Sequence, residues 1–143
     1  MKVVIIGGDA AGMSAASQIK RLKPDYEVIV FERGQYISYA ACGIPYFVEG
    51  AVGDMEALVE VTPDEARDKR KVDLRLGHNV TAIDPGDLTV TVEKDGDHFT
   101  QSFDRLIIAT GARPQTMGLE VGQYSNVFTM NDLSDAARIK NFI

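Results

Sequence analysis

The stretch Lys2-Val3-Val4-Ile5-Ile6-Gly7-Gly8-Asp9-Ala10-Ala11-Gly12-Met13 decides the fold. Val3 to Ile6 is an unbroken apolar run of β-branched residues, the pattern of a parallel strand buried on both faces. After the glycines, Met13, Ala16, Ile19 and Leu22 recur at helical spacing until Pro24, and the residue before a proline resists helix. Val28 to Phe31 is a second buried run. Residues 2–32 therefore read as a β-α-β unit with a right-handed crossover. A glycine turn between strand and helix gathers backbone N–H groups and the positive helix end at one point, an anion site suited to a pyrophosphate.

Gly7 and Gly12 hold the first and last positions of the dinucleotide fingerprint G-x-G-x-x-G, but Asp9 holds the middle one. A carboxylate repels phosphate, so either the Asp9 side chain points away or the middle glycine is dispensable. Glu32 lies 20 residues past Gly12 (32 − 12) at the end of the second strand, where an acid receives the ribose hydroxyls. Both halves point to a dinucleotide. The plainer alternative is a glycine turn with a surface glutamate, and the fingerprint by itself does not separate FAD from NAD.

Outward from this unit the chain is less regular from Gln35 to Gly53, a segment that carries Cys42. Thr62-Pro63-Asp64-Glu65 reads as a helix start, with Thr62 as N-cap and Glu65 closing a capping box, and the helix should run to about Arg70. Val72 to Leu76 reads as a strand. Asn79 to Ile83 and Leu88 to Glu93 alternate as strands joined at Asp84-Pro85-Gly86-Asp87, and the Asp95-Gly96 hairpin turn leads to His98 to Ser102. Phe103 to Ala109 reads as another buried strand and Asp132 to Phe142 as a helix. No repeat or linker interrupts the pattern, which predicts one open α/β sheet with an inserted antiparallel meander.

Composition narrows the function classes. The 143 residues are 45% hydrophobic and 25% charged, ordinary for one globular domain. A net charge of −6 argues against nucleic acid or an anionic membrane as the main partner, although Arg67, Lys69, Arg70 and Lys71 form a local basic cluster. Cys42 is the only cysteine, so no internal disulfide forms and a disulfide-stapled secreted domain is excluded. Val3 to Gly8 is too short for a signal segment or a membrane span. A soluble, cytoplasmic chain is expected.

Two further motifs carry a resemblance. Asp104-Arg105-Leu106-Ile107-Ile108-Ala109-Thr110-Gly111-Ala112-Arg113-Pro114 is similar to the second flavin-contacting segment of the two-dinucleotide-fold flavoproteins, the pyridine nucleotide-disulfide oxidoreductases. Met1 to Ile143 resembles their N-terminal FAD domain along essentially its whole length, which implies a Rossmann-like α/β FAD-binding domain with a central parallel sheet. Ile37-Ser38-Tyr39-Ala40-Ala41-Cys42-Gly43-Ile44-Pro45-Tyr46 resembles the single-cysteine branch, which holds coenzyme A-disulfide reductases, coenzyme A-dependent persulfide reductases, NADH oxidases and NADH peroxidases. The opening Gly-Gly-x-Ala-Ala-Gly-Met-Ser-Ala-Ala is also typical of the coenzyme A-using members. The oxidases and peroxidases usually carry a histidine in the glycine loop; here that residue is Ala10, which cannot do acid–base work. Neither His78 nor His98 falls in a matching place.

The resemblance implies an NAD(P)H-dependent flavoprotein in which Cys42 lies over the flavin and forms a mixed disulfide with coenzyme A. A thiolate is the nucleophile such chemistry needs, and a short helix opened by Cys42 would favour that anion. By similarity the FAD contacts are Gly7, Ala11, Gly12, Glu32, Arg33, Val80 through its backbone, Thr110, Gly111 and Arg113. The coenzyme A contacts are Gln18, Arg21, Ser38, Tyr39 and Arg70. Ala41 stands where the family often has asparagine, which removes one polar contact. No metal site is expected. The chain reads as the N-terminal portion, residues 1–143, of a homodimeric parent whose NAD(P)H-binding and dimerisation domains lie outside it, so turnover by this portion alone is not expected. Two other readings remain open: the same domain of an NADH oxidase or peroxidase, and a non-catalytic nucleotide-binding module in which Cys42 is an inert thiol.

Overall fold

A computed structural model describes residues 1–143. The elements are strand β1 (Lys2–Ile6), helix α1 (Ala10–Leu22), β2 (Glu27–Glu32), a 3-10 turn at Ala41–Gly43, helix α2 (Ile44–Glu49), a 3-10 turn at Met55–Leu58, a π-helical turn at Glu65–Lys69, strands β3 (Asp73–Leu76), β4 (Asn79–Asp84), β5 (Thr89–Lys94), β6 (Asp97–Ser102) and β7 (Arg105–Ile108), and helix α3 (Leu133–Phe142). They form two compact units, one of residues 1–38 and 61–110, the other of residues 39–60 and 111–143.

The first unit holds the expected parallel sheet and antiparallel meander, the meander forming a sheet of its own. Parallel strands run in the order β3-β2-β1-β7, and β4-β5-β6 form a separate antiparallel sheet. The central pair is in register from Lys2 opposite Glu27 to Ile6 opposite Phe31. Both strands are apolar on both faces because both faces are covered. Val3, Ile5, Val28 and Val30 pack with Met13 and Ala16 of α1. Val4, Ile6, Ile29 and Phe31 pack with Val90, Val92 and Phe103 on the meander side. The meander keeps strict alternation only on β5, where Val90 and Val92 are buried. That alternation is why it covers the parallel sheet as a second layer instead of extending it. Asp95 and Gly96 both have positive φ, 54° and 90°, as the tight Asp-Gly hairpin turn requires.

Three local expectations are corrected. Helix α1 begins at Ala10, so Gly12 lies inside its first turn. The run 103–109 yields a strand of only four residues, and it is not buried, with Ile108 62% exposed. Its apolar residues misled because β7 is a sheet edge, paired only with β1. Thr62 does cap the turn that follows it, accepting from Glu65 N at 3.2 Å, but Glu65 does not close the box. Its carboxylate instead pairs with Arg70 at 3.2 Å, and Arg70 N reaches the Glu65 carbonyl five residues back, which makes the turn π rather than α.

In the second unit α2 and α3 pack together. Lys140 on α3 donates to the Phe47 carbonyl at 3.0 Å and lies 3.9 Å over the Phe47 ring. Asp132 caps α3, accepting from Asp135 N at 2.9 Å. No helix is long and apolar enough to cross a membrane.

Candidate active site

The glycine turn is built by close backbone approach. Gly7 has φ 102°, and a Cβ there would lie 2.2 Å from the Ala109 carbonyl oxygen and 3.3 Å from Thr110 N. The turn is thus pressed against the end of β7, which brings Gly7 and Thr110 together as the two motifs required. A Cβ at Gly12 would lie 1.8 Å from the Gly7 carbonyl oxygen, so neither glycine can be replaced without moving the turn. Position 9 is different. Asp9 has φ −85° and ψ −160°, extended backbone open to any residue, so the fold does not need glycine at the middle of the fingerprint.

Glu32 is fixed by the same turn. Its carboxylate accepts from Gly8 N and from Gly34 N, each at 2.7 Å. Each oxygen takes one amide and keeps acceptor capacity for a ribose hydroxyl. Gly8 was not among the expected site residues, yet a Cβ there would meet Ile37 at 2.8 Å and Glu32 at 3.0 Å. The first turn of α1 carries no acidic residue and no side-chain cap hydrogen bond, so its positive end is left for an anion. These residues fit the pyrophosphate and ribose of FAD. Val80 is half-buried on β4, while Ala11, Arg33, Thr110, Gly111 and Arg113 are exposed.

Cys42 is an exposed free thiol in the second unit. It lies in the 3-10 turn Ala41–Gly43, which runs directly into α2; the segment that seemed irregular in sequence is thus two short helical turns. The turn is pinned from both sides. Ala40 N donates to the Leu58 carbonyl and Gly43 N to the Ala40 carbonyl, each at 2.8 Å. Tyr39 bridges Val59 in antiparallel fashion. Gly43 packs so tightly that a Cβ would lie 2.4 Å from Leu58 Cδ2. The sequence does not announce Leu58 as a partner of the cysteine turn, because the two are 16 residues apart (58 − 42). Ser38, in the first unit, takes a left-handed φ of 43°, held by its N–H on the Gly8 carbonyl and its own carbonyl on Val61 N. A non-glycine residue there costs on the order of 1–3 kcal/mol, and such strain clusters at functional sites.

Two of the remaining candidates, Arg21 and Arg70, line a basic groove. Ser17, Lys20, Arg21 and Pro24 recur at helical spacing along one face of α1 and its exit. Lys69, Arg70 and Lys71 face them across a cavity of about 320 Å³. Arg70 donates to Ser17 Oγ at 2.9 Å and ties the two walls together. Arg21 donates to Gln18 Oε1 at 2.8 Å. Arg21 thus contacts Gln18, and Arg70 contacts the neighbouring Ser17; Tyr39 belongs to the other unit. Lys20, Lys69 and Lys71 also line the groove and were not singled out for binding. Of the basic cluster seen in sequence, Arg67 turns away, donating to the Leu74 carbonyl at 3.2 Å. No group of three or more metal-ligating side chains occurs.

Comparison with known proteins places this geometry in context. Residues 1–141 match the family described as pyridine nucleotide-disulphide oxidoreductase. The chain is 45% identical over 141 residues to an NAD(P)H sulfur oxidoreductase (CoA-dependent) of Pyrococcus abyssi, covering 99% of this chain and 31% of that relative. It is 35% identical to a coenzyme A disulfide reductase of Staphylococcus haemolyticus, over 99% of this chain and 32% of the relative. Among solved structures, reduced Bacillus anthracis CoADR-RHD superposes with a TM-score of 0.95 at 31% identity, over 99% of this chain and 26% of that one. The chain thus spans about a third of the length of the curated relatives it matches.

Proposed function

This chain belongs to the pyridine nucleotide-disulphide oxidoreductase family, and on that premise we propose that the protein carrying it binds FAD and reduces a coenzyme A disulfide or persulfide with electrons from NAD(P)H. The observation that carries the reading is a single exposed thiol, Cys42, on a chain that also presents a concave groove lined by Lys20, Arg21, Lys69, Arg70 and Lys71. A reactive sulfur and a polyanion site together match a thiol substrate that bears phosphates.

The residues divide the work as follows. The amides of the Gly7–Gly12 turn and the open end of α1 hold the pyrophosphate, and Glu32, oriented by Gly8 N and Gly34 N, receives the ribose hydroxyls. Arg33, Val80, Thr110, Gly111 and Arg113 complete the contacts to the cofactor. Gln18, Arg21, Ser38, Tyr39 and Arg70 hold coenzyme A. The Cys42 thiolate attacks one sulfur of the substrate disulfide, forms a Cys42–coenzyme A disulfide and releases the other half as a thiolate. FAD, when bound, supplies the two electrons, taken from NAD(P)H, that return the mixed disulfide to two thiolates. With one cysteine in the chain, the second sulfur of the exchange comes from the substrate. Ala10 in the glycine turn offers no proton, which weighs against an oxidase or peroxidase. The parent protein is read as a cytoplasmic homodimer that acts away from nucleic acid and membrane.

The test is the visible absorption of the chain mixed with FAD, before and after dithiothreitol. A flavin band with a long-wavelength shoulder after reduction, lost in Cys42→Ser, is the expected result. Flavin bound with no cysteine-dependent shoulder would make Cys42 an inert thiol and leave a nucleotide-binding module.

A further inference from the structure

The motif that carries Cys42 ends in Ile44-Pro45-Tyr46, and Tyr46 has no task in the chemistry proposed above. Gly43 N donates to the Ala40 carbonyl and Ile44 N to the Ala41 carbonyl, so the cysteine turn and α2 form one unbroken helical stretch. Its inner side is Gly43 against Leu58, with Ile44 and Phe47 buried. Its outer side carries Cys42, Pro45, Tyr46 and Glu49, all exposed. Cys42 and Tyr46 are four residues apart (46 − 42). Helical residues at that spacing stand side by side, with Cβ atoms about 5–6 Å apart.

Tyr46 is 57% exposed, so its ring adds little to the packing that holds α2. Its hydroxyl makes no hydrogen bond within the fold and remains a free donor. The groups around it offer no substitute. Glu49, further along the same side, has only acceptor oxygens. The cations of α3 are committed, Lys140 to the Phe47 carbonyl and ring and Arg138 to Asp135.

We propose that Tyr46 is a catalytic residue of the exchange at Cys42, donating a hydrogen bond from its phenol to the thiolate that the attack expels. This role rests on the sulfur chemistry proposed above and adds to it a residue for the leaving group. A bond forms between Cys42 Sγ and the nearer substrate sulfur as the bond between the two substrate sulfurs breaks, and the electron pair of that bond leaves on the farther sulfur. In line, that sulfur stands two S–S bond lengths, about 4 Å, from Cys42 Sγ. A phenol hydroxyl lies a full ring beyond its Cβ, long enough to pass Cys42 and meet the departing sulfur. The proton stays on the phenol. Its hydrogen bond stabilises the charge on an alkyl thiolate, and a better-stabilised thiolate leaves faster.

The test is the second-order rate at which the reduced chain exchanges with disulfides that differ in leaving group. Dithiodipyridine expels a stabilised aromatic thiolate, whereas hydroxyethyl disulfide and coenzyme A disulfide expel alkyl thiolates. Tyr46→Phe should slow both alkyl disulfides by roughly tenfold, the scale of one hydrogen bond to a charged group. It should leave dithiodipyridine unchanged, because that leaving group needs no help. An equal change in all the rates would make Tyr46 a structural residue and overturn the proposal, as would no change in any. The coenzyme A reading is judged separately on the wild type, in which coenzyme A disulfide should react faster than hydroxyethyl disulfide. Equal rates there would overturn that reading and leave the comparison at Tyr46 standing. A Cys42 inert toward every disulfide would overturn both.

Discussion

Asp135 is only 7% exposed, and burial alone would raise its pKa. It lies instead below the ordinary carboxylate value. Burial is outweighed by the Arg138 guanidinium, the Thr129 hydroxyl and the Asn131 amide, all of which donate to it. A carboxylate whose folded value is depressed stabilises the fold fully above its unfolded value, near pH 4, and loses that contribution as pH falls through the folded value. Asp135→Asn should therefore cost about 1–2 kcal/mol at neutral pH. The gap between variant and wild type should close as pH drops below about 4, read by urea denaturation across pH. A gap that stays constant with pH would mean that shape, not charge, is what Asp135 contributes. Glu32 shows the same economy at the glycine turn, where two backbone amides orient a carboxylate without using up its lone pairs.

Helix α2 has six residues, too few to be stable by propensity, so the element after Cys42 depends on what packs against it. Ile44 and Phe47 are buried, and Lys140 holds the C-terminal end through the Phe47 carbonyl and ring. A cation at that end is favoured by the helix dipole. Lys140→Met should lower the protection of the Phe47–Gly50 amides in hydrogen exchange by about fivefold, equivalent to ~1 kcal/mol, and leave β1 and β2 unchanged. Equal loss across both units would point to global destabilisation instead. The elements that were legible in sequence are those whose pattern is set locally. The β-branched runs of β1 and β2, the Asp95-Gly96 turn and the helix near the C-terminal end all formed as read. Less legible were the elements decided by a distant partner. Glu65 left its capping box for Arg70, and β7 kept an apolar sequence on an exposed edge. Likewise Gly7, Gly12, Glu32 and Cys42 stand out by motif. Lys69 and Lys71 come to line a groove only once α1 lies opposite them, which no local pattern encodes.

At the scale of the molecule, neither unit is a continuous stretch of chain. The unit carrying Cys42 is assembled from residues 39–60 and 111–143, with most of the other unit lying between them in sequence. The contact that fastens α2 joins Lys140 to Phe47 across 93 residues. On the ribosome this becomes a matter of timing. At roughly 5–20 residues per second, the cysteine segment leaves the tunnel about 5–20 s before the helix that secures it exists. During that interval the β-α-β unit, whose contacts are local, is free to fold while Cys42 sits on an unfastened stretch of nascent chain. Stalled nascent chains in which residues up to 110 have emerged should therefore protect β1 and β2 from protease yet be cut near Tyr46 and Phe47, and emergence of α3 should abolish that cut. Protection of both regions before α3 emerges would mean that the cysteine segment folds without it. Small disulfides in the cell meet Cys42 first in that unfinished state, and exchange with one of them would leave a mixed disulfide on Cys42 and release a thiolate, so the order of synthesis sets when this sulfur can be capped before its turn is fastened.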